Sequence, residues 1–147
     1  MMASIYALFA FLAGMGLPLQ VGLNTMVARA STPLWSSAVS FLIGAVGMFA
    51  VVFASRQPWP TTLSLGQVPA YAWCAGLLGA FYVTTTIFAA PKIGAAALVG
   101  FVIAGQLIAS ITFDHYGFAG FPQHSINIGR IAGAICLIVG VVLIKKF

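Results

Sequence analysis

The sequence predicts an all-α integral membrane protein of five transmembrane helices, and three observations carry that prediction. Hydrophobic residues make up 62% of the 147-residue chain and charged residues only 5%, against about 25% charged in soluble domains. The seven charges are Arg29, Arg56, Lys92, Asp114, Arg130, Lys145 and Lys146. They bracket apolar runs, several of them longer than the roughly 20 residues that cross a bilayer. Those runs are continuously apolar rather than alternating, which argues against a β-barrel. A soluble fold of this size could not bury so much apolar surface. Residues 1–147 are therefore expected to form a single membrane domain whose main partner is lipid.

The first span is expected from about Ala3 to Leu23. It has no positively charged start and runs into Pro18, Gln20 and Asn24 rather than a cleavage site, so it reads as a retained helix, kinked at Pro18, and not as a signal peptide. The second runs from about Leu34 to Ala54, entered through Ser31-Thr32-Pro33, a capping residue followed by a proline. A polar, proline-bearing stretch from Arg56 to Pro69 leads to the third span, about Tyr71 to Ala90. Only Pro91-Lys92-Ile93-Gly94 separates it from the fourth, about Ala95 to Phe113, which predicts a tight antiparallel hairpin. The fifth, about Ile126 to Ile144, is closed by Lys145 and Lys146. Cys74 and Cys136 fall inside apolar spans without ligand-like neighbours and read as packing residues.

An odd number of spans puts the termini on opposite faces. Arg29, Lys92, Lys145 and Lys146 then share one face, and Arg56 and Arg130 the other. Four basic residues against two favour a cytoplasmic C-terminus, by a margin thin enough to suit a chain that inserts both ways. The net charge of +5 is scattered and makes no patch, so no nucleic-acid partner is expected.

Polar groups in hydrocarbon need a partner or a wet cavity. Gln20 and Asn24 lie one turn apart beside Pro18, and a proline-interrupted helix flanked by amides is a common way to build a transporter site. The alternative is a kinked helix whose amides bond across to neighbours. Gln106, Ser110 and Asp114 form a second stripe at i, i+4 and i+8, and Tyr82, Thr85 and Thr86 a shorter hydroxyl face. Ser40 reads as a serine bonded to its own backbone. Asp114 at a helix C-terminus and Arg130 at a helix N-terminus each oppose the local dipole. They are expected to form a structural ion pair, or alternatively a proton-sensitive gate beside His115. His115 and His124 lack further ligand-type partners, so no metal is implied, and no nucleophile–base pair or phosphate loop suggests an enzyme or a cofactor.

Small residues pervade the helices: Gly44 with Gly47, Gly76 with Gly79, Gly129 with Gly133, and Gly133 with Gly140. Such positions let helices approach closely, either within one subunit or, for Gly133, Leu137 and Gly140, along a dimer seam.

The segments Gly16 to Asn24 (GLPLQVGLN), Ser40 to Gly44 (SFLIG), Ala90 to Gly94 (APKIG), Ile103 to Gln106 (IAGQ) and Asp114 to Gly117 (DHYG) resemble the short five-helix, YdcZ-like branch of the drug/metabolite transporter superfamily. The tail from Gly133 to Val141 is similar to the dimerising last helix of the small multidrug resistance proteins, although the first helix here lacks their glutamate. The resemblance implies half of a ten-helix inverted-repeat transporter in a bacterial inner membrane. It would be completed by an antiparallel homodimer partner or an oppositely oriented paralogue, and would work by alternating access. Gln20, Asn24, Tyr82 and Gln106 are the expected substrate-binding residues. With no carboxylate among them, the expected substrate is a small neutral polar or amphipathic solute. The alternative is a non-transporting structural or accessory membrane subunit.

Overall fold

A computed structural model describes residues 2–147. Among them are α1 (Met2–Ala30), α2 (Pro33–Ala54), the single turn α3 (Thr62–Gly66), α4 (Ala75–Ile93), α5 (Ala95–Tyr116) and α6 (Ile128–Lys146), with 3₁₀ turns at Ala70–Cys74 and Phe118–Gly120 and no strands. Five segments are long and apolar enough to cross a membrane: Ser4–Ala30, Pro33–Ala54, Ala70–Ile93, Ala95–Tyr116 and Ile128–Lys146.

The helix ends differ from the sequence expectations at places that have local causes. α1 continues past Leu23 to Ala30, with Pro18 inside it. Proline removes one backbone bond, but hydrocarbon offers no water to take over the rest of the ladder, so the helix persists. Thr25 folds its hydroxyl back onto the Val21 carbonyl at 2.8 Å, hiding another polar group along the same stretch. Pro91, expected in a connection, also lies within a helix. The break between α4 and α5 narrows to Gly94, at φ +80° and ψ 156°, a backbone state that glycine adopts without steric cost. α5 extends to Tyr116 and stops at Gly117, whose left-handed φ of 63° lets its N–H reach the Phe113 carbonyl. α6 starts at Ile128 because the Asn127 side chain accepts the Arg130 N–H at 2.9 Å. At α2, Thr32 accepts the Trp35 N–H at 3.2 Å, and Pro33 sits where its missing N–H costs nothing.

The chain divides into two compact units, Met1–Pro91 and Lys92–Phe147. In the first, α1 packs on α2, and α4 meets α2 where Gly79 lies against the Phe41 ring. Its buried residues are Val21, Val83 and Ile87 together with four polar ones, Asn24, Ser36, Ser37 and Thr86. In the second, α5 packs on α6 around Ala97, Leu98 and Val141. Gly100 makes that approach possible, since a Cβ there would stand 3.0 Å from both Val141 methyls. Large apolar side chains elsewhere, among them Phe9, Leu19, Ile43 and Ile135, are exposed, as helices solvated by lipid require.

Candidate functional site

The first unit contains two clefts along the α1–α2 contact, and Ser40 lines both. The larger, of about 340 Å³, is bounded by Gln20, Ser40, Phe41, Gly44, Ala45, Met48 and Val83. The smaller, of about 220 Å³, is bounded by Leu23, Asn24, Val27, Ser36, Val39, Ser40 and Ile43. No charged side chain lines either one.

The α1–α2 contact is held by a polar clasp. The Ser36 hydroxyl donates to the Asn24 backbone carbonyl at 2.6 Å. The neighbouring Ser37 hydroxyl donates to the Pro33 carbonyl at 3.0 Å and accepts from the Thr84 hydroxyl of α4 at 2.8 Å. Two adjacent serines therefore turn α2 toward α1 and α4 at once. Thr86, also buried, donates to the Val83 carbonyl at 2.8 Å. These bonds fix the walls of the clefts and leave the side-chain amides free. Asn24 is only 9% exposed, yet its amide has no hydrogen-bond partner among the described residues. The exposed Gln20 amide has none either, and nor does the Ser40 hydroxyl.

Ser40 thus departs from the sequence expectation. Its hydroxyl bonds neither its own backbone nor a neighbour among the described residues, and it lines both clefts. Ser36, Ser37 and Thr84 carry the inter-helix bonds that sequence reasoning missed. The spacing of Ser36 and Ser40, one turn apart, was the available signal. Tyr82 is half-buried on α4 and lines neither cleft, and Thr85 faces outward while Thr86 faces in. Gln106 and Ser110 lie exposed on α5 in the second unit.

The second unit carries the charged constellation. Arg130 Nη2 donates to Asp114 Oδ2 at 2.9 Å, with the two side chains 31% and 27% exposed. Arg130 Nη1 donates to the His124 carbonyl at 3.1 Å, while the His124 N–H donates to the Asp114 carbonyl at 2.7 Å. Gln123 Nε2 reaches the His115 carbonyl at 2.9 Å, and the Ile126 N–H reaches His115 Nδ1 at 3.3 Å. The connection between α5 and α6 is thereby laced back onto the end of α5. Along α6, Arg130, Ala134, Leu137, Gly140 and Val141 are the less exposed positions, and Gly133 is exposed. A Cβ at Gly133 or Gly140 would meet nothing within 4 Å.

The family model described as "Putative inner membrane exporter, YdcZ" matches residues 5–143. The chain belongs to this family. It is 29% identical, over 97% of its own length and 96% of the relative's, to the inner membrane protein YdcZ of Escherichia coli (strain K12). No solved structure matches it. Membership in the YdcZ family, with the five apolar spans, makes the chain a multi-pass membrane protein of the transporter kind.

Proposed function

We propose that this YdcZ-family chain is an inner-membrane exporter subunit. It moves a small neutral polar or amphipathic solute by alternating access, through the clefts between α1 and α2. The observation that carries this reading is the pair of uncharged clefts holding two side-chain amides, Gln20 and Asn24, with no partner among the described residues. An unpaired amide in hydrocarbon costs several kcal/mol. A protein that keeps two of them beside open space supports a site where water and solute take turns. A lining without carboxylates suits a neutral solute better than a cation.

A five-span chain supplies one half of an inverted-repeat transporter, so the working unit is a dimer, either an antiparallel homodimer or a pair with an oppositely oriented paralogue. Gly133, Leu137 and Gly140 of α6 are its proposed seam, supported by the open space at both glycines. Tyr82 and Gln106 line neither cleft and enter this proposal as positions to be probed.

Cysteine labelling tests it. In a background with Cys74 and Cys136 replaced by serine, cysteines at Gln20 and Asn24 are expected to react with a membrane-impermeant thiol reagent, and cysteines at Val51 and Val142 to stay protected, while a cysteine at Gln106 reports whether α5 shares the pathway. Equal protection at Gln20, Asn24, Val51 and Val142 would remove the transport site and favour an accessory subunit.

A further inference from the structure

We infer that the α1–α2 groove recognises an amphiphile with a neutral carboxamide-type head, held by the Asn24 amide beside Ser40, with its apolar part lying along Gly44, Ala45 and Met48. The inference deepens the transport reading by naming its ligand class, and it rests on that reading only for the importance of the groove.

Asn24 is the decisive residue. Nine-tenths of it is buried. Its backbone carbonyl accepts from the Ser36 hydroxyl at 2.6 Å, which fixes that turn of α1 against α2 where Asn24 lines the cleft. A side-chain amide presents a donor and an acceptor side by side. Another amide satisfies both together, through two antiparallel N–H···O=C bonds, at any pH, whereas a carboxylic acid does so only while protonated. A carboxylate offers acceptors only and an ammonium donors only. Either would leave half of Asn24 unpaired and would bring an uncompensated charge into the apolar interior. The Ser40 hydroxyl, which donates or accepts as required, stands where the two clefts meet.

Beyond Ser40 the α2 wall of the groove loses its polar groups, and the Gln20 amide of α1 is the polar side chain that faces it. Ser40, Gly44 and Met48 follow one another at i, i+4 and i+8 on one face of α2, a run of about 12 Å. Gly44 keeps this run open, because a Cβ at that position meets nothing within 4 Å. The rim residues Leu23, Ile43 and Met48 are exposed and apolar, so a molecule dissolved in the bilayer meets no polar barrier on the way in.

The chain contains two asparagines, Asn24 and Asn127, so selective ¹⁵N-asparagine labelling yields one reporter in the groove and one control at the start of α6. In nanodiscs of neutral phosphatidylcholine, decanamide is expected to shift the Asn24 side-chain amide signals saturably and leave those of Asn127 in place. Sodium decanoate, at a pH high enough to keep it ionised in the bilayer, and decyltrimethylammonium, both at the same mole fraction, are expected to leave Asn24 unmoved. Gly44→Leu fills the apolar run and should raise the half-saturating decanamide concentration by about tenfold, with the Asn127 signals reporting that the variant has folded. If that variant does not fold, acetamide serves the same purpose in the wild type and should bind far more weakly than decanamide. A response of Asn24 to all three amphiphiles alike, equal movement of Asn127, or no saturation would overturn the inference. Binding is read here without transport. A groove that binds decanamide but never labels from water is a sealed receptor, and one that labels but ignores decanamide is a pathway for another solute.

Discussion

Arg130 uses its two terminal nitrogens on different acceptors, the Asp114 carboxylate at 2.9 Å and the His124 carbonyl at 3.1 Å. A lysine keeps the charge but presents a single ammonium, so it cannot hold both in that planar geometry. Arg130→Lys is therefore expected to lower the thermal unfolding temperature in detergent, though by less than Arg130→Ala. Removing either Asp114 or Arg130 alone strands the other charge, and each single change should cost more than its share of the double change. The pair is about 30% exposed, so water screens it, and a coupling of about 1 kcal/mol is expected from the thermal cycle. Simple additivity would show that the two charges do not interact. The pair was legible from the sequence because both residues oppose a helix dipole at the two ends of one connection. Its supporting bonds were not, because Gln123 and His124 have no periodicity that marks them.

Among the elements, two glycines that look alike in the sequence have different roles. Gly100 lies where α5 meets α6, and a methyl group added there would press on both Val141 methyls at 3.0 Å. Gly100→Ala should destabilise the second unit by about 1–3 kcal/mol, and Val141→Ala should return part of the loss by making room. Gly133 faces open space, so Gly133→Leu should leave unfolding unchanged and act on assembly alone, yielding monomers in cross-linking if the seam lies there. A dimer that survives Gly133→Leu and Gly140→Leu together places the interface elsewhere. The spans themselves were legible because hydrocarbon imposes one rule on every run of apolar residues. Their ends were less so. Pro91 reads as a helix end by the habits of soluble helices, and the lipid-solvated α4 carries it. Ser36 and Ser37 escaped notice for a different reason: a serine in a membrane helix has its own backbone available, as Ser37 shows by donating to the Pro33 carbonyl. Only the positions of α1 and α4 reveal that Ser36 reaches Asn24 and that Ser37 also accepts from Thr84.

At the scale of the whole molecule, the basic residues set the balance of orientation. Arg130 stands near the start of α6, and Lys145 and Lys146 at its end. Lys145 lies 5.4 Å from the Phe101 ring near the start of α5, so the last helix returns its charge to the end at which α5 began. Four basic residues against two is a narrow bias. Gln57→Lys with Gln67→Lys would equalise it, and C-terminal reporters are expected to move from a cytoplasmic majority toward an even split. Reporters fixed in one orientation for both proteins would rule out dual insertion and make an oppositely oriented paralogue the necessary partner.

The laced connection between α5 and α6 also settles a question of proton placement in its two histidines. The Ile126 N–H points at His115 Nδ1, which must be a bare lone pair, so the neutral ring carries its hydrogen on Nε2. His124 Nδ1 lies 3.0 Å from the Pro122 carbonyl, an acceptor only, so here the hydrogen belongs on Nδ1. One short segment thus holds its two imidazoles as opposite tautomers. With two histidines in the chain, ¹⁵N-histidine labelling should show a protonated Nε2 in one ring and a protonated Nδ1 in the other. His115→Asn, whose amide oxygen can still accept from Ile126, should leave the His124 pattern as it was.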